Sequence, residues 1–400
     1  MNVTNSGMIE IGHSEDPAMA FPTDPPFRAE HIGSLIRPPA VLAAREDCEA
    51  GRIDAAALRA VEDSEIAKSV AAQAALGFRS VSDGEFRRHS YTDSFGVAVF
   101  GGLSTARSDD PNWRYTNRAG ETSGANVSVV EDRLVWEGPA NVDDFAYLAS
   151  VAPEECVPKM TLPGPCHIHF RAGRDNIDRA AYPDLDAFWA DTIDAYEKEI
   201  AALHAAGCRY IQLDETSIAK FGDPKIRRGL EARGDDWRDL LDLYVEVIRE
   251  VAERTPGDIA LGLHLCRGNK AGAWQAEGGY DDVAARLFRD LPIRFYFLEY
   301  DSPRAGGFEP LAEVPDDKVV VLGLVSTKVP ALEDAGELER RIEEAGRYVP
   351  VERLCLSPQC GFAGDIGGTG LSAVEQAAKL SLVMDVVRRV WGSARPNRSP

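Results

Sequence analysis

Hydrophobic and polar positions along the 400 residues switch repeatedly between two periods. Eight short runs, rich in β-branched and aromatic residues, each end in a polar cluster. They are "RAEHIGS" (28–34), "FRSVSDGE" (78–85), "VPKMTLP" (157–163), "CRYIQLDE" (208–215), "DIALGLHLC" (258–266), "RFYFLEYD" (294–301), "VVVLGLVSTK" (319–328) and "RLCLSPQCGF" (353–362). Such runs read as strands. Between most of them the apolar spacing widens to three or four. In "LDAFWADTIDAYEKEIAALHAAG" the residues Leu185, Phe188, Trp189, Ile193, Tyr196, Ile200 and Leu203 share one stripe, and Gly207 closes the helix. Residues 54–76, 236–254, 281–290, 334–346 and 373–391 follow the same pattern. A crossover helix after each strand makes neighbouring strands parallel, so this order predicts a closed (β/α)8 TIM-type barrel. An open doubly wound sheet is the competitor, but no G-x-G-x-x-G opens any of the helices.

The alternation breaks in three places. Residues 1–27 mix Gly, Pro, Ser and Asp without periodicity and read as a loose extension. Residues 99–150 are Gly/Asn/Asp-rich and contain one amphipathic strand candidate, "NVSVVEDRLVWEG", with the look of a hairpin. This is expected to be an insertion after the second strand, capping or lining the barrel mouth. Residues 393–400 form a tail, leaving 28–392 as a single catalytic barrel.

Charge narrows the choice of partner. The net charge of −21 argues against nucleic acid and anionic membranes, both of which need a positive face. No apolar run approaches the length of a membrane span, and no charged n-region precedes Arg28. The seven cysteines are odd in number and widely scattered, which favours a reducing cytoplasm and free or metal-bound thiols over disulfides. A small-molecule enzyme is the expected class, with homo-oligomerisation left open.

In such a barrel the chemistry sits where the strands end. His264 and Cys266 are two apart, so a strand points both to the same side. Alone, the pair reads equally as a hydrogen-bonded core histidine beside an inert apolar cysteine. Cys360 and Glu299 at equivalent strand ends make a His/Cys/Glu/Cys zinc set the stronger reading. Zinc lowers the pKa of a bound thiol, and two thiolate ligands leave an incoming sulfur nucleophilic, which points to sulfur alkylation ahead of hydrolysis. Arg267 adjoins the metal pair and is expected to face substrate. Arg87 and Arg88 read as partners of nearby acids. His167 and His169, which alternate in "PCHIHF" on an expected strand, read as ordinary hydrogen-bonded histidines.

The ordered stretches "RAEHIGSLIRPP", "VSDGEFRR", "IQLDE", "HLCRGN", "LEYD", "GLVSTK" and "SPQCGF" are specific as a set. From Arg28 to Gly392 the chain resembles the catalytic C-terminal barrel of cobalamin-independent methionine synthase, in the short stand-alone form without the N-terminal barrel. The resemblance implies Zn2+ on His264, Cys266, Glu299 and Cys360. It places Ile32, Gly33 and Ser34 in the substrate-backbone loop, and Glu85 and Asp214 on the amine of homocysteine; without it, these two acids read equally as caps of the following helices. It also implies a small-molecule thiol and a methyl or alkyl donor as partners.

One departure changes the expected chemistry. Val325 in "GLVSTK" stands where the family carries a proton-relaying histidine. Lys328 or Asp301 is expected to substitute, or the donor needs no proton at its leaving group. The leading expectation is zinc-dependent methylation of homocysteine to methionine. Two alternatives are epoxide opening by a zinc-held thiolate such as coenzyme M, and a non-catalytic metal-binding barrel.

Overall fold

The alternating periods become alternating strands and helices around a parallel sheet of six strands and a shorter parallel pair. The computed structural model describes residues 24–96, 100–108 and 110–392. Its sheet strands are β1 (Ser80–Val81), β2 (Phe100–Ser108), β3 (Ala125–Trp136), β4 (Met160–Pro163), β5 (Tyr210–Glu215), β6 (Ala260–Leu265), β7 (Phe295–Glu299), β8 (Val319–Val325) and β9 (Leu354–Pro358). Strands β4 to β9 lie side by side in chain order in one six-stranded parallel sheet. Val157–Pro158, just before β4, pairs in parallel with β1. At the other edge, Ala29 bridges in parallel to Leu356 of β9. The seam between the 28–34 and 78–85 runs is held by Ser80 Oγ donating to Glu30 (2.7 Å), Ser82 Oγ to the Gly33 carbonyl (2.6 Å) and the Leu35 N–H to the Gly84 carbonyl (3.0 Å). The fold is a TIM-type (β/α) barrel, and each of the eight sequence runs contributes to its wall.

The helices begin where short polar side chains meet exposed N–H groups. Asp54 caps α1 (Ala55–Leu76), Asp236 caps α2 (Trp237–Arg254), and Ser372 with Glu375 forms a capping box on α3 (Ala373–Trp391). Gly77, at φ +109°, ends α1 in the left-handed region that glycine adopts without a Cβ penalty. The main hydrophobic core lies between these helices and the outer face of the sheet. A smaller cluster of Ile32, Tyr210, Phe295, Phe297, Val321 and Cys355 fills the barrel itself. Below the strand ends that interior also holds Lys159, whose ammonium lies 3.4 Å from Glu30 and 3.3 Å from Gln212.

Three expectations change. The sequence "NVSVVEDRLVWEG" is one strand rather than a hairpin: β3 pairs antiparallel with β2, whose glycines had hidden it. Gly102 sits at φ +81° beside a register shift in that pair, a place where a side chain is strained. His167 and His169 lie in a short helix, His167–Phe170, not in a strand. Residues 1–23 and 393–400 of the expected extension and tail lie outside the described residues. Of the remaining four, Pro25 to Phe27 are buried, with the Phe27 ring under Arg79. Among the described residues no helix is long and apolar enough to cross a membrane.

Candidate active site at the strand ends

Register brings the first two groups together. Asp214 of β5 and His264 of β6 are direct neighbours across the ladder, and His264 Nδ1 lies 2.8 Å from Asp214 Oδ1. With the carboxylate accepting, Nδ1 carries the proton and the Nε2 lone pair is free; that atom is buried and has no partner. Burial alone lowers the His264 pKa, but the Asp214 hydrogen bond and charge outweigh it, and the net shift is upward.

Cys266 follows β6 on the same side, and Cys360 lies in the loop after β9. Their sulfurs are 3.4 Å apart, and one donor atom each from His264, Cys266 and Cys360 lie within 4.8 Å of one another. The separation is too long for a disulfide, roughly 2.0 Å. It is near the roughly 3.8 Å expected of two sulfurs each about 2.3 Å from a tetrahedral zinc. The Gly268 N–H also donates to Cys266 Sγ (3.1 Å). The hydrogen bond from Cys360 pulls the Cys266 thiol down to about 6 against its burial, while the Cys360 thiol is pushed up.

Glu299 does not join this group. Its Oε1 lies 3.0 Å from Lys328 Nζ and its Oε2 accepts the Arg267 N–H (2.9 Å), so both oxygens are engaged. Burial pushes its pKa up, but Lys328 and Arg267 win and hold it low. Arg267 does not line the cavity beside the thiols either. Its guanidinium donates to the Gly278 carbonyl (2.8 Å), the Tyr280 hydroxyl (3.0 Å) and the Glu299 carbonyl (3.1 Å), and stacks 4.2 Å from the Tyr280 ring centre. Two of the three guanidinium nitrogens are satisfied by fixed acceptors close by, and the third, Nη2, is buried without a partner. Asp301 accepts from Ser326 Oγ (2.7 Å) and, like Lys328, does not line the cavity. Arg87 pairs with Asp63, and Arg88 lies 3.5 Å from Glu85 while donating to Thr161.

The cavity above the thiols measures about 550 Å³. Ile32, Ser34, Glu85, Asp214, His264, Cys266 and Cys360 line it. Gly33 stands just behind, at φ +131°, where a Cβ would come within 2.5 Å of Thr161. Glu85 is held at φ +59°, uncommon for a residue with a side chain. One of its oxygens accepts from Thr161 Oγ1 (2.7 Å) and the other is buried without a partner. Burial, with the Asp214 charge adding to it, raises the Glu85 pKa.

Sequence reasoning missed part of the lining. Tyr91, Tyr115, Arg171, Thr216, Lys220 and Lys270 also face the cavity. They lie in loops beyond the strand ends or in the insertion, where no periodicity marks them. Proximity in sequence to "LDE" and "HLCRGN" is the only signal that pointed to Lys220 and Lys270.

The model of the family "Cobalamin-independent synthase, Catalytic domain" matches residues 27–381. The chain belongs to this family. Among relatives of this cobalamin-independent synthase-like chain, the YxjG protein of Bacillus subtilis is 38% identical, over 92% of this chain and 95% of the relative. A 5-methyltetrahydropteroyltriglutamate–homocysteine methyltransferase of Thermosynechococcus vestitus is 24% identical over 85% of this chain, which spans only 41% of that larger enzyme. A solved structure from Listeria monocytogenes, provisionally named a vitamin-B12 independent methionine synthase, superposes with a TM-score of 0.71. It is 31% identical, with 92% of this chain and 99% of that one covered. The B12-independent methionine synthase of Shewanella sp. W3-18-1 shares the fold, with a TM-score of 0.69 at 18% identity over 91% of this chain and 97% of that one. Family membership makes the protein a methionine synthase-like methyltransferase.

Proposed function

We propose that the protein transfers a methyl group to the sulfur of homocysteine, with a zinc ion held by His264, Cys266 and Cys360. The observation that carries this reading is the orphaned, buried His264 Nε2 beside two thiols at near-ligand spacing. A neutral imidazole nitrogen and two sulfurs are donors that zinc prefers, and three protein ligands leave a position for substrate. Zinc bound there would lower the pKa of an incoming thiol and keep its sulfur nucleophilic near neutral pH.

The residues around it do the rest. Asp214 fixes the His264 tautomer and ring orientation. Glu85, with one free oxygen, and Asp214 suit the ammonium end of a short amino thiol, while the 32–34 loop borders the same space. Holding both ends presents one sulfur lone pair to the donor. The new S–CH3 bond forms as the bond from that carbon to its carrier breaks, and the electron pair leaves with the carrier. Val325 is fully buried at the end of β8 and offers no proton. Lys328 acts on the thiols through its charge and through its hold on Glu299. The reading includes a reducing, cytoplasmic setting, in keeping with seven cysteines that form no disulfide with one another.

The test is metal analysis followed by product mass spectrometry. Stoichiometric zinc and methionine formed from homocysteine with methyltetrahydrofolate or methylcobalamin are expected. Zinc-loaded protein that yields methionine from neither donor would overturn the substrate assignment.

A further inference from the structure

The chain carries 65 acidic and 44 basic side chains, so a carboxylate is available to almost any cation. Arg171, Lys220 and Lys270 nevertheless line one cavity, and among the described residues none of them has a carboxylate within ion-pair distance. They stand on the loops that follow three neighbouring strands, β4, β5 and β6. Arg171 donates to the Asn126 carbonyl (3.0 Å) and the Tyr115 hydroxyl (2.8 Å), and its Nε is buried without a partner. Lys270 Nζ donates to the Gly124 carbonyl (2.9 Å). Arg171 and Lys270 each sit 5.8 Å from the Tyr115 ring centre, so one tyrosine from the insertion gathers both. Lys220 is fully buried, and its ammonium has no hydrogen-bond partner at all.

A buried, unpartnered ammonium beside a guanidinium is costly. Burial and the Arg171 charge hold the Lys220 pKa down at about 7, with only partial relief from Cys266, Glu215 and Glu299. Asp365 lines the same cavity and feels Lys270, but stays beyond pairing distance. The polar capacity of three cations on one wall is therefore met mainly by neutral carbonyl and hydroxyl oxygens. An anion would satisfy all three.

We propose that Arg171, Lys220 and Lys270 form a subsite for an anionic group, a carboxylate, sulfonate or phosphate, on one of the two substrates. The proposal rests on the methyl-transfer reading only for the identity of that substrate; the affinity for an anion needs neither metal nor thiol. It also reconciles the net charge of −21 with an anionic ligand, because three cations gathered on one cavity wall act locally whatever the sign of the whole chain.

Isothermal titration of the metal-free full chain with inorganic phosphate at low ionic strength tests it. Saturable one-site binding is expected, weakened about tenfold in Lys220→Met and in Lys270→Met. Lys198→Met, an exposed control paired with Asp194, should bind as the parent does. Lys270→Met alters a part-exposed side chain and carries the test if Lys220→Met fails to fold. Binding that never saturates, or that is equal in parent and both cavity variants, overturns the subsite. A second arm finds the source of the anion. Homocysteine is titrated onto zinc-loaded protein with and without saturating phosphate. Competition assigns the subsite to the thiol's carboxylate, and independence assigns it to the methyl donor. Homocysteine that fails to bind while phosphate still does sinks the methyl-transfer reading and leaves the subsite standing.

Discussion

Two buried clusters sit side by side at the strand ends, and they are opposites. Around Glu299, both carboxylate oxygens are spoken for: one holds Lys328, the other the Arg267 N–H, and the Arg267 fork reaches two carbonyls and a tyrosine hydroxyl, leaving only its Nη2 bare. Around His264, the pairing stops short. Asp214 takes one ring nitrogen and leaves the other bare, and the two thiols have only each other and, for Cys266, the Gly268 N–H. Apart from the half-buried Cys360, the named residues of both clusters are buried, so burial does not separate them. Residual valence does. A saturated buried network specifies and rigidifies its surroundings, whereas donors left open converge on something that is not protein.

The harshest way to break the comparison is to remove a sulfur. Cys266→Ser or Cys360→Ser leaves two protein donors, and neither variant is expected to retain stoichiometric zinc through dialysis, as metal analysis would show. Secondary structure should survive in both, because the thiols support no strand. The matching cut on the closed side is Lys328→Met. It strands a carboxylate whose side chain is 1% exposed, and should cost about 3–5 kcal/mol in urea denaturation. A loss below about 1 kcal/mol would show that Glu299 has other means of support, and the contrast would fail.

A gentler cut lies between the two. Asp214→Asn keeps the shape but weakens the grip on His264 Nδ1 and can reverse the ring tautomer. Loss of such a carboxylate partner typically lowers metal affinity about 10–100-fold, and competition with a chromophoric chelator measures it. An unchanged affinity would mean that the ring is oriented by packing alone.

How much of this was legible in the sequence follows from range. The barrel was legible because its signals are local: period-two runs ending in polar residues, period-3.6 stretches between them, and caps such as Asp54 and Ser372 at the joins. His264 and Cys266 were legible as a pair because one strand fixes both directions. What Glu299 does was not legible. Its partner Lys328 lies 29 residues on, and only the register of β7 against β8 and the path of the following loop decide that an ammonium arrives there. Arg267 misled for the same reason, since proximity in sequence to Cys266 says nothing about which carbonyls surround its fork. The β2 strand hid behind glycines, and the cations on the cavity wall stand in loops, where spacing carries no directional information.

The smallest expected effect is the most discriminating. In the double variant Glu299→Gln with Lys328→Met, neither buried charge remains, and the introduced amide oxygen can still accept the Arg267 N–H. Removing both partners of a buried pair avoids the penalty of stranding one of them, so the double variant should be more stable than Lys328→Met alone. A thermodynamic cycle of the two singles and the double measures that coupling directly. The same protein then asks whether Glu299 belongs to the open cluster after all. If its carboxylate only holds Lys328, zinc affinity should fall by less than about tenfold, the lower end of what outer-shell groups contribute. If the carboxylate leaves Lys328 and coordinates when the metal arrives, the amide cannot replace it. The affinity should then fall well beyond about a hundredfold, and the line drawn here between a closed and an open cluster would have to be moved.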